Sequence, residues 1–189
     1  MLNTKRLFLA IKINPEEQLI EVLNQLKNKL KNEKVRWANP DHLHLTLKFF
    51  GAVSVIDIEI IIPAIERAVQ AQRRFELNIE NLSIFGSSYN PNVIWAGISK
   101  SIELVNLEQN IISELEKIGF KNDRQNFVPH LTLGRIKKLQ DKKYFNQIIS
   151  EYKTGHFQVS LIDKIILYES VLKPTGAVHS EIHEFPFKA

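Results

Sequence analysis

The tetrapeptide His-Leu-Thr-Leu stands twice in this chain, as His44-Leu45-Thr46-Leu47 and as His130-Leu131-Thr132-Leu133, each time inside a run that reads as a β-strand. Side chains two apart on a strand share a face, so each copy sets an imidazole beside a hydroxyl on one side and two leucines on the other. Two such strands facing one cleft surround a small tetrahedral group with a proton acceptor on one side and a donor on the other.

The elements around the motif repeat with it. Arg6 to Ile13 alternates as a strand, and Asn14-Pro15-Glu16-Glu17 offers a cap, a proline at the first turn and early acids for a helix. Leu19, Leu23, Leu26 and Leu30 form the apolar stripe of that helix, and Lys27, Lys29 and Lys31 suit its C-terminal end. The first motif strand runs to Phe50, with Gly51 as a stop. A second helix is expected from Ser54 to Gln70, kinked or broken at Pro63, and Phe75, Leu77 and Ile79 alternate as a further strand.

The same order then returns. Val93 to Ile98 is a strand, Ser101 caps a helix carrying Leu104, Leu107, Ile111 and Leu115, and Gly119 ends it. The second motif strand follows, then a short helix over Asp141 to Tyr152, then alternation at Phe157, Val159 and Leu161. Ser87 to Asn92 is a turn-forming loop at the join, and Ile165 to Val171 and Val178 to Phe187 add strands. The expected fold is α+β, bilobal and internally duplicated: two antiparallel sheets backed by helices around a central groove, the motif strands central. Residues 1–189 are expected to form a single domain of two pseudo-symmetric lobes.

Composition narrows the function classes. At 189 residues with 44% hydrophobic content the chain can bury a real core, while no apolar run approaches a transmembrane length. Met1 to Arg6 lacks a signal-peptide pattern, so a cytoplasmic location without membrane contact is expected. The absence of cysteine removes disulfides, thiol nucleophiles and thiolate metal sites. A formal charge of +4 suits a polyanionic partner and a solvated surface equally.

Packing alone accounts for one copy of the motif, with leucines in the core and the polar residues on the wet face. It does not require His and Thr at both equivalent places of a duplicated order. Together with Arg6-Leu7-Phe8-Leu9-Ala10-Ile11, Arg36-Trp37, the run His42 to Gly51 and the run Phe127 to Arg135, the two motifs resemble the 2H phosphoesterase superfamily. The branch most similar is the RNA 2′,3′-cyclic phosphodiesterases, also labelled 2′-5′ RNA ligases. The resemblance spans nearly the whole chain, through Leu167-Tyr168-Glu169-Ser170 and Gly176. It implies a bilobal pseudo-twofold fold, both motifs in the central groove, no metal or other cofactor, and hydrolysis of RNA cyclic phosphate ends to 2′-phosphates. By motif position it makes His44 the proton donor and His130 the proton acceptor. Ala177-Val178-His179 departs from relatives, which usually carry a proline and a tyrosine there.

The chemistry needs these residue types. Opening a cyclic phosphodiester requires a water deprotonated on one side and the departing ribose oxygen protonated on the other, in line with it. Imidazoles serve both roles because they titrate near neutrality. Thr46 and Thr132 donate to the non-bridging oxygens as charge develops. The spacing is symmetric and does not say which His is the acid.

Arg135 trails Thr132 by three residues, so phosphate contact there needs a bulge or turn near Gly134, and a surface salt bridge is the competing reading. Phe8, Phe49 and Phe50 are the candidate base or ribose contacts, against core packing; Trp37 and Trp95 carry the same ambiguity. His42 and His44 offer a metal pair, but no acid follows nearby and Val128 stands at the equivalent place, so no metal is expected. His156, His179 and His183 read as solvent-facing or structural.

The expected partners are RNA ends or cyclic nucleotides, with tRNA halves and the joining or cleavage of 2′-5′ linkages as neighbouring chemistries, and the protein is expected to be a monomer. The competing class is a module that binds RNA ends or phosphate without catalysis. An inert binder has no need of two titrating groups.

Overall fold

The computed structural model describes residues 3–121, 127–174 and 176–189. Nine strands and four α-helices alternate along them: β1 (Thr4–Lys12), α1 (Glu17–Lys29), β2 (Lys34–Trp37), β3 (His44–Ser54), α2 (Ile58–Val69), β4 (Phe75–Ser87), β5 (Asn90–Ile98), α3 (Ile102–Lys117), β6 (His130–Lys138), α4 (Lys142–Glu151), β7 (His156–Ile162), β8 (Lys164–Lys173) and β9 (Gly176–Pro186). Two antiparallel sheets result, one of order β3-β1-β8-β9 and one of order β2-β6-β5-β4-β7.

The sheets do not coincide with the halves of the chain. The strand at Phe75, expected to close the first half, pairs with β5 and β7 in the second sheet, because a tight turn at Ser88-Tyr89 folds β4 directly onto β5. The C-terminal strands β8 and β9 complete the first sheet instead. The motif strands are central to the molecule, though β3 is an edge strand of its own sheet; that edge lies against β6. The sequence reading also missed β2, a four-residue strand whose alternation is too short to register beside its lysines.

Leucine periodicity places the helices as expected. Leu19, Leu23 and Leu26 of α1, Leu30 just past its end, and Leu104, Leu107, Ile111 and Leu115 of α3 are all buried, in one apolar cluster that takes residues from both sheets and all four helices. Ser101 caps α3 by accepting the Leu104 N–H at 3.1 Å, and Gly119 ends it at φ +93°. Pro63 does not divide α2, which runs unbroken through it after a 3-10 turn at Val55–Asp57. The proline faces solvent, opposite the buried Ile61, Ala64, Ile65 and Ala68, so the carbonyl it leaves unpaired can meet water.

The start of α1 uses a tertiary cap in place of a local one. Gln158, 4% exposed on β7, accepts the Glu16 N–H at 2.8 Å through Oε1, and its Nε2 donates to the Asn14 carbonyl and to Ser160 Oγ, both at 2.8 Å. Replacing it with leucine removes the partners of the Glu16 N–H and the Asn14 carbonyl and buries an apolar side chain beside Ser160. Gln158→Leu is expected to cost about 1–3 kcal/mol of unfolding free energy in urea titrations; a variant as stable as the parent contradicts the capping role.

Among the described residues no helix is long and apolar enough to cross a membrane.

Candidate active site

Each motif histidine is oriented by the same local device. His44 Nδ1 donates to the His42 carbonyl at 2.8 Å and His130 Nδ1 donates to the Val128 carbonyl at 2.7 Å. A carbonyl only accepts, so Nδ1 carries the proton in both rings and Nε2 is left for the groove. A neutral imidazole held this way is a base through Nε2, and a protonated one is an acid through the same atom. The device is symmetric and serves either role.

Burial pushes both imidazoles below their ordinary pKa, at His44 with help from the positive charges of Arg135, His130 and His42, and at His130 with help from Arg135. That His130 and Arg135 both act on His44 reports how closely the groove gathers its charges. Thr46 stands opposite Ala10 and Thr132 opposite Trp95 in the ladders, both half-buried on the histidine side. Neither hydroxyl has a hydrogen-bond partner among the described residues.

Arg135 reaches the groove through a β-bulge. On β5, Ile94 faces Gly134 and its neighbour Trp95 faces Thr132, so Leu133 is an extra residue and the alternation resets by one. Without that reset Arg135 would face the core. Gly134 permits the close packing there, since a Cβ on it would meet Val35 Cγ1 at 2.8 Å and the Trp37 ring at 3.0 Å. Arg135 makes no ion pair and no side-chain hydrogen bond among the described residues. Arg36 of β2 stands directly opposite it and brings a second guanidinium to that end, a neighbour the sequence alone did not reveal.

The first motif carries the same bulge with different residues. Leu47 is the extra residue, so Lys48 faces Leu9 on the core side and Phe49 faces Phe8 on the groove side. Lys48 is 7% exposed and donates from Nζ to the Lys121 carbonyl at 2.9 Å. Phe49 occupies the position that Arg135 holds in the second copy. It is 62% exposed, its ring 6.2 Å from Phe8, and Phe8 lies 5.1 Å from His44 in a small cluster with Ala10, Ile166 and Tyr168 on the groove side. Phe50 belongs elsewhere: it packs edge-on to Phe120 against the main core, so the bulge separates it from Phe8 and Phe49.

Aromatic rings flank the second histidine too. Phe85 packs edge-on to His130 at 4.7 Å, and Trp95 stacks on Phe85 at 5.1 Å, its Nε1 buried without a partner among the described residues. Trp37 faces the other way, over Gly134. Of the remaining histidines, His183 lies 3.6 Å from Glu66 and His156 is exposed on β7.

His179, read from the sequence as solvent-facing or structural, packs against the rings of the groove. It sits edge-on to Phe8 at 4.9 Å and to His44 at 5.6 Å. The β8–β9 pairing carries it there, a long-range contact with no local signal.

A family model described as LigT like Phosphoesterase matches the chain twice, over residues 11–95 and 97–179, so its two matches divide the chain where the repeated order of elements begins again. An RNA 2′,3′-cyclic phosphodiesterase of Methanocaldococcus jannaschii is 31% identical, over 95% of this chain and 99% of its own. One of Thermotoga maritima is 29% identical, over 97% of this chain and 96% of its own. Among solved structures, TT0787 of Thermus thermophilus superposes with a TM-score of 0.79 at 20% identity, covering 96% of this chain and 97% of that one. E. coli LigT complexed with 3′-AMP superposes with a TM-score of 0.73 at 20% identity, covering 99% of this chain and 100% of that one. With both motifs on one groove and the family model matched across both halves, the chain belongs to the LigT-like phosphoesterases of the 2H superfamily.

Proposed function

We propose that this chain hydrolyses RNA 2′,3′-cyclic phosphate ends to 2′-phosphomonoesters by paired histidine acid–base catalysis without a metal. The observation that carries the reading is the matched pair of imidazoles, each fixed through Nδ1 by the carbonyl two residues before it, with two threonine hydroxyls that have no partner among the described residues on the same face. The names of the curated relatives support the substrate class.

In this mechanism His130 Nε2 takes a proton from water as its oxygen bonds to phosphorus. The P–O3′ bond breaks in line with the attack, and O3′ takes the proton of His44 Nε2–H. The assignment of acid and base follows the family resemblance. Thr46, Thr132 and Arg135 hold the non-bridging oxygens as charge grows on them. The released ribose hydroxyl and the 2′-phosphate leave His44 neutral and His130 protonated, and exchange with solvent restores both.

Among the described residues no three or more His, Cys, Asp or Glu side chains are grouped to hold a metal ion. Turnover of an RNA ending in a 2′,3′-cyclic phosphate is therefore expected to survive exhaustive chelation. Loss with EDTA that zinc or manganese restores contradicts the metal-free mechanism, and tight binding without turnover favours the binding-module alternative.

Both histidines have lowered pKa values in the free protein, with burial the first cause. The bell of kcat/KM, which reports the free enzyme, is expected to centre below the ordinary imidazole value of about 6.5. A bound phosphate anion favours the charged forms, so the kcat bell is expected at higher pH than that of kcat/KM. Its limits belong to the pair and not to one residue. A kcat/KM optimum well on the alkaline side contradicts the electrostatic account.

A further inference from the structure

We propose that Lys48 is a positioning residue for the reaction: its buried ammonium ties the first motif strand to the turn that ends α3, and so sets the separation of His44 and His130. The inference rests on the proposed hydrolysis, in which the two imidazoles act on opposite sides of one phosphorus. In-line transfer between two fixed rings depends on that separation, and a misplacement of about 1 Å can cost about 10² in rate. The backbone does not set it. Strands β3 and β6 lie against each other but belong to different sheets, so among the described residues no ladder of hydrogen bonds joins the two motif strands.

Lys48 supplies a directed contact across that junction. The bulge at Leu47 turns its side chain to the core side, where Nζ donates to the Lys121 carbonyl at 2.9 Å. Phe50, two residues on, faces the same way and packs edge-on to Phe120 at 5.6 Å. One stretch of β3 thus grips one turn twice. The turn is itself fixed to α3, since the Gly119 N–H donates to the Glu116 carbonyl at 3.1 Å and the Phe120 N–H to the Leu115 carbonyl at 3.0 Å. Helix α3 follows β5, the strand that pairs with β6, and its leucines are buried in the common core. The tie therefore runs from the strand of His44 to the half of the chain that carries His130.

Packing alone does not call for a lysine here. Burying an ammonium is costly unless it is paired, and a leucine or methionine would fill the space without that cost. The second motif has Gly134 at the corresponding position, four residues after its histidine, so the duplicated backbone does not require a lysine either. The cation is supported from α3. Burial pushes the Glu108 carboxyl up and the charge of Lys48 opposes that rise, which sets the ammonium near Glu108 as well as on the Lys121 carbonyl. A hydrogen bond fixes a length and a direction, whereas apolar packing is non-directional.

Lys48→Met keeps most of the side chain and removes the donor. Its kcat on cytidine 2′,3′-cyclic phosphate is expected to fall by about 10–10², with KM changed by less than about threefold, because the groove-facing groups are untouched. Lys48→Arg keeps a cationic donor and should recover part of kcat. Phe120→Leu loosens the same turn through its other contact and should repeat the loss in milder form, which keeps the test open if Lys48→Met does not fold. A purely structural role predicts lower stability in urea with a normal kcat per folded molecule. A second readout needs no substrate. Arg135, His130 and His42 each lower the pKa of His44, so His130→Ala should raise it in an NMR titration of the ring. In the Lys48→Met or Phe120→Leu background that rise should be smaller, because the released strand takes the two rings farther apart. A parental kcat in the folded variants, or an unchanged rise, overturns the positioning role and leaves the hydrolytic reading intact. No turnover by the wild-type protein overturns the hydrolytic reading, and the titrations then still decide whether Lys48 sets the spacing.

Discussion

Replacing either His44 or His130 with alanine is expected to lower turnover by about 10²–10⁴ while leaving the protein folded. Both rings are half-buried on the groove side, outside the main apolar cluster, so their removal opens no cavity in the core. The double variant should lose less than the product of the two single losses, since acid and base act in one concerted step. Circular dichroism and urea titration check the fold, and single-turnover rates on a cyclic-phosphate RNA end check the chemistry. RNA-end binding should fall only modestly, because the threonines and Arg135 still face the phosphate. Wild-type turnover in either variant would remove that ring from the mechanism.

Arg135→Gln is expected to cost about 10²–10³ in kcat/KM, with Arg135→Lys recovering part of it, since a lysine restores charge without the fork of donors. The variant also carries a signature that a purely structural role does not predict. The guanidinium charge lowers the pKa of both His44 and His130, so its removal raises both. The whole kcat/KM bell should therefore move to higher pH. A fall in rate with an unmoved profile would assign Arg135 to phosphate binding at a distance from the two rings.

The parts of this molecule legible in its sequence are those governed by short-range periodicity. The alternation His-Leu-Thr-Leu correctly put Leu45, Leu47, Leu131 and Leu133 in the core and left the polar residues on the other face, and the helix stripes held for the same reason. Strict alternation failed where a bulge inserts a residue. It would set Phe50 with His44 and Thr46 and send Arg135 to the far side of β6; the extra residues at Leu47 and Leu133 reverse both placements. The glycine at position 134 and the reading that a bulge there would be needed were the available signals. Sheet membership was less accessible, because pairing β4 with β5 and β8 with β1 depends on contacts that no local window contains. The contact of His179 with His44 was hidden for that reason, since it comes from the register of β9.

The bulges after the two motifs put different side chains at corresponding positions: Phe49 stands five residues after His44, and Arg135 five residues after His130. Under the proposed function the aromatic ring suits a nucleoside and the guanidinium a phosphate.

The central claim is that water attacks the cyclic phosphate opposite O3′ under the control of both histidines. It is tested most directly by ³¹P NMR of the product formed from an RNA ending in a 2′,3′-cyclic phosphate, comparing the wild-type protein with His130→Ala and His44→Ala under chelation. The account predicts a 2′-phosphomonoester as the product of the wild type, with its formation slowed by about 10²–10⁴ in each variant. A 3′-phosphomonoester, or a 2′-phosphate formed by either variant at the wild-type rate, would contradict it.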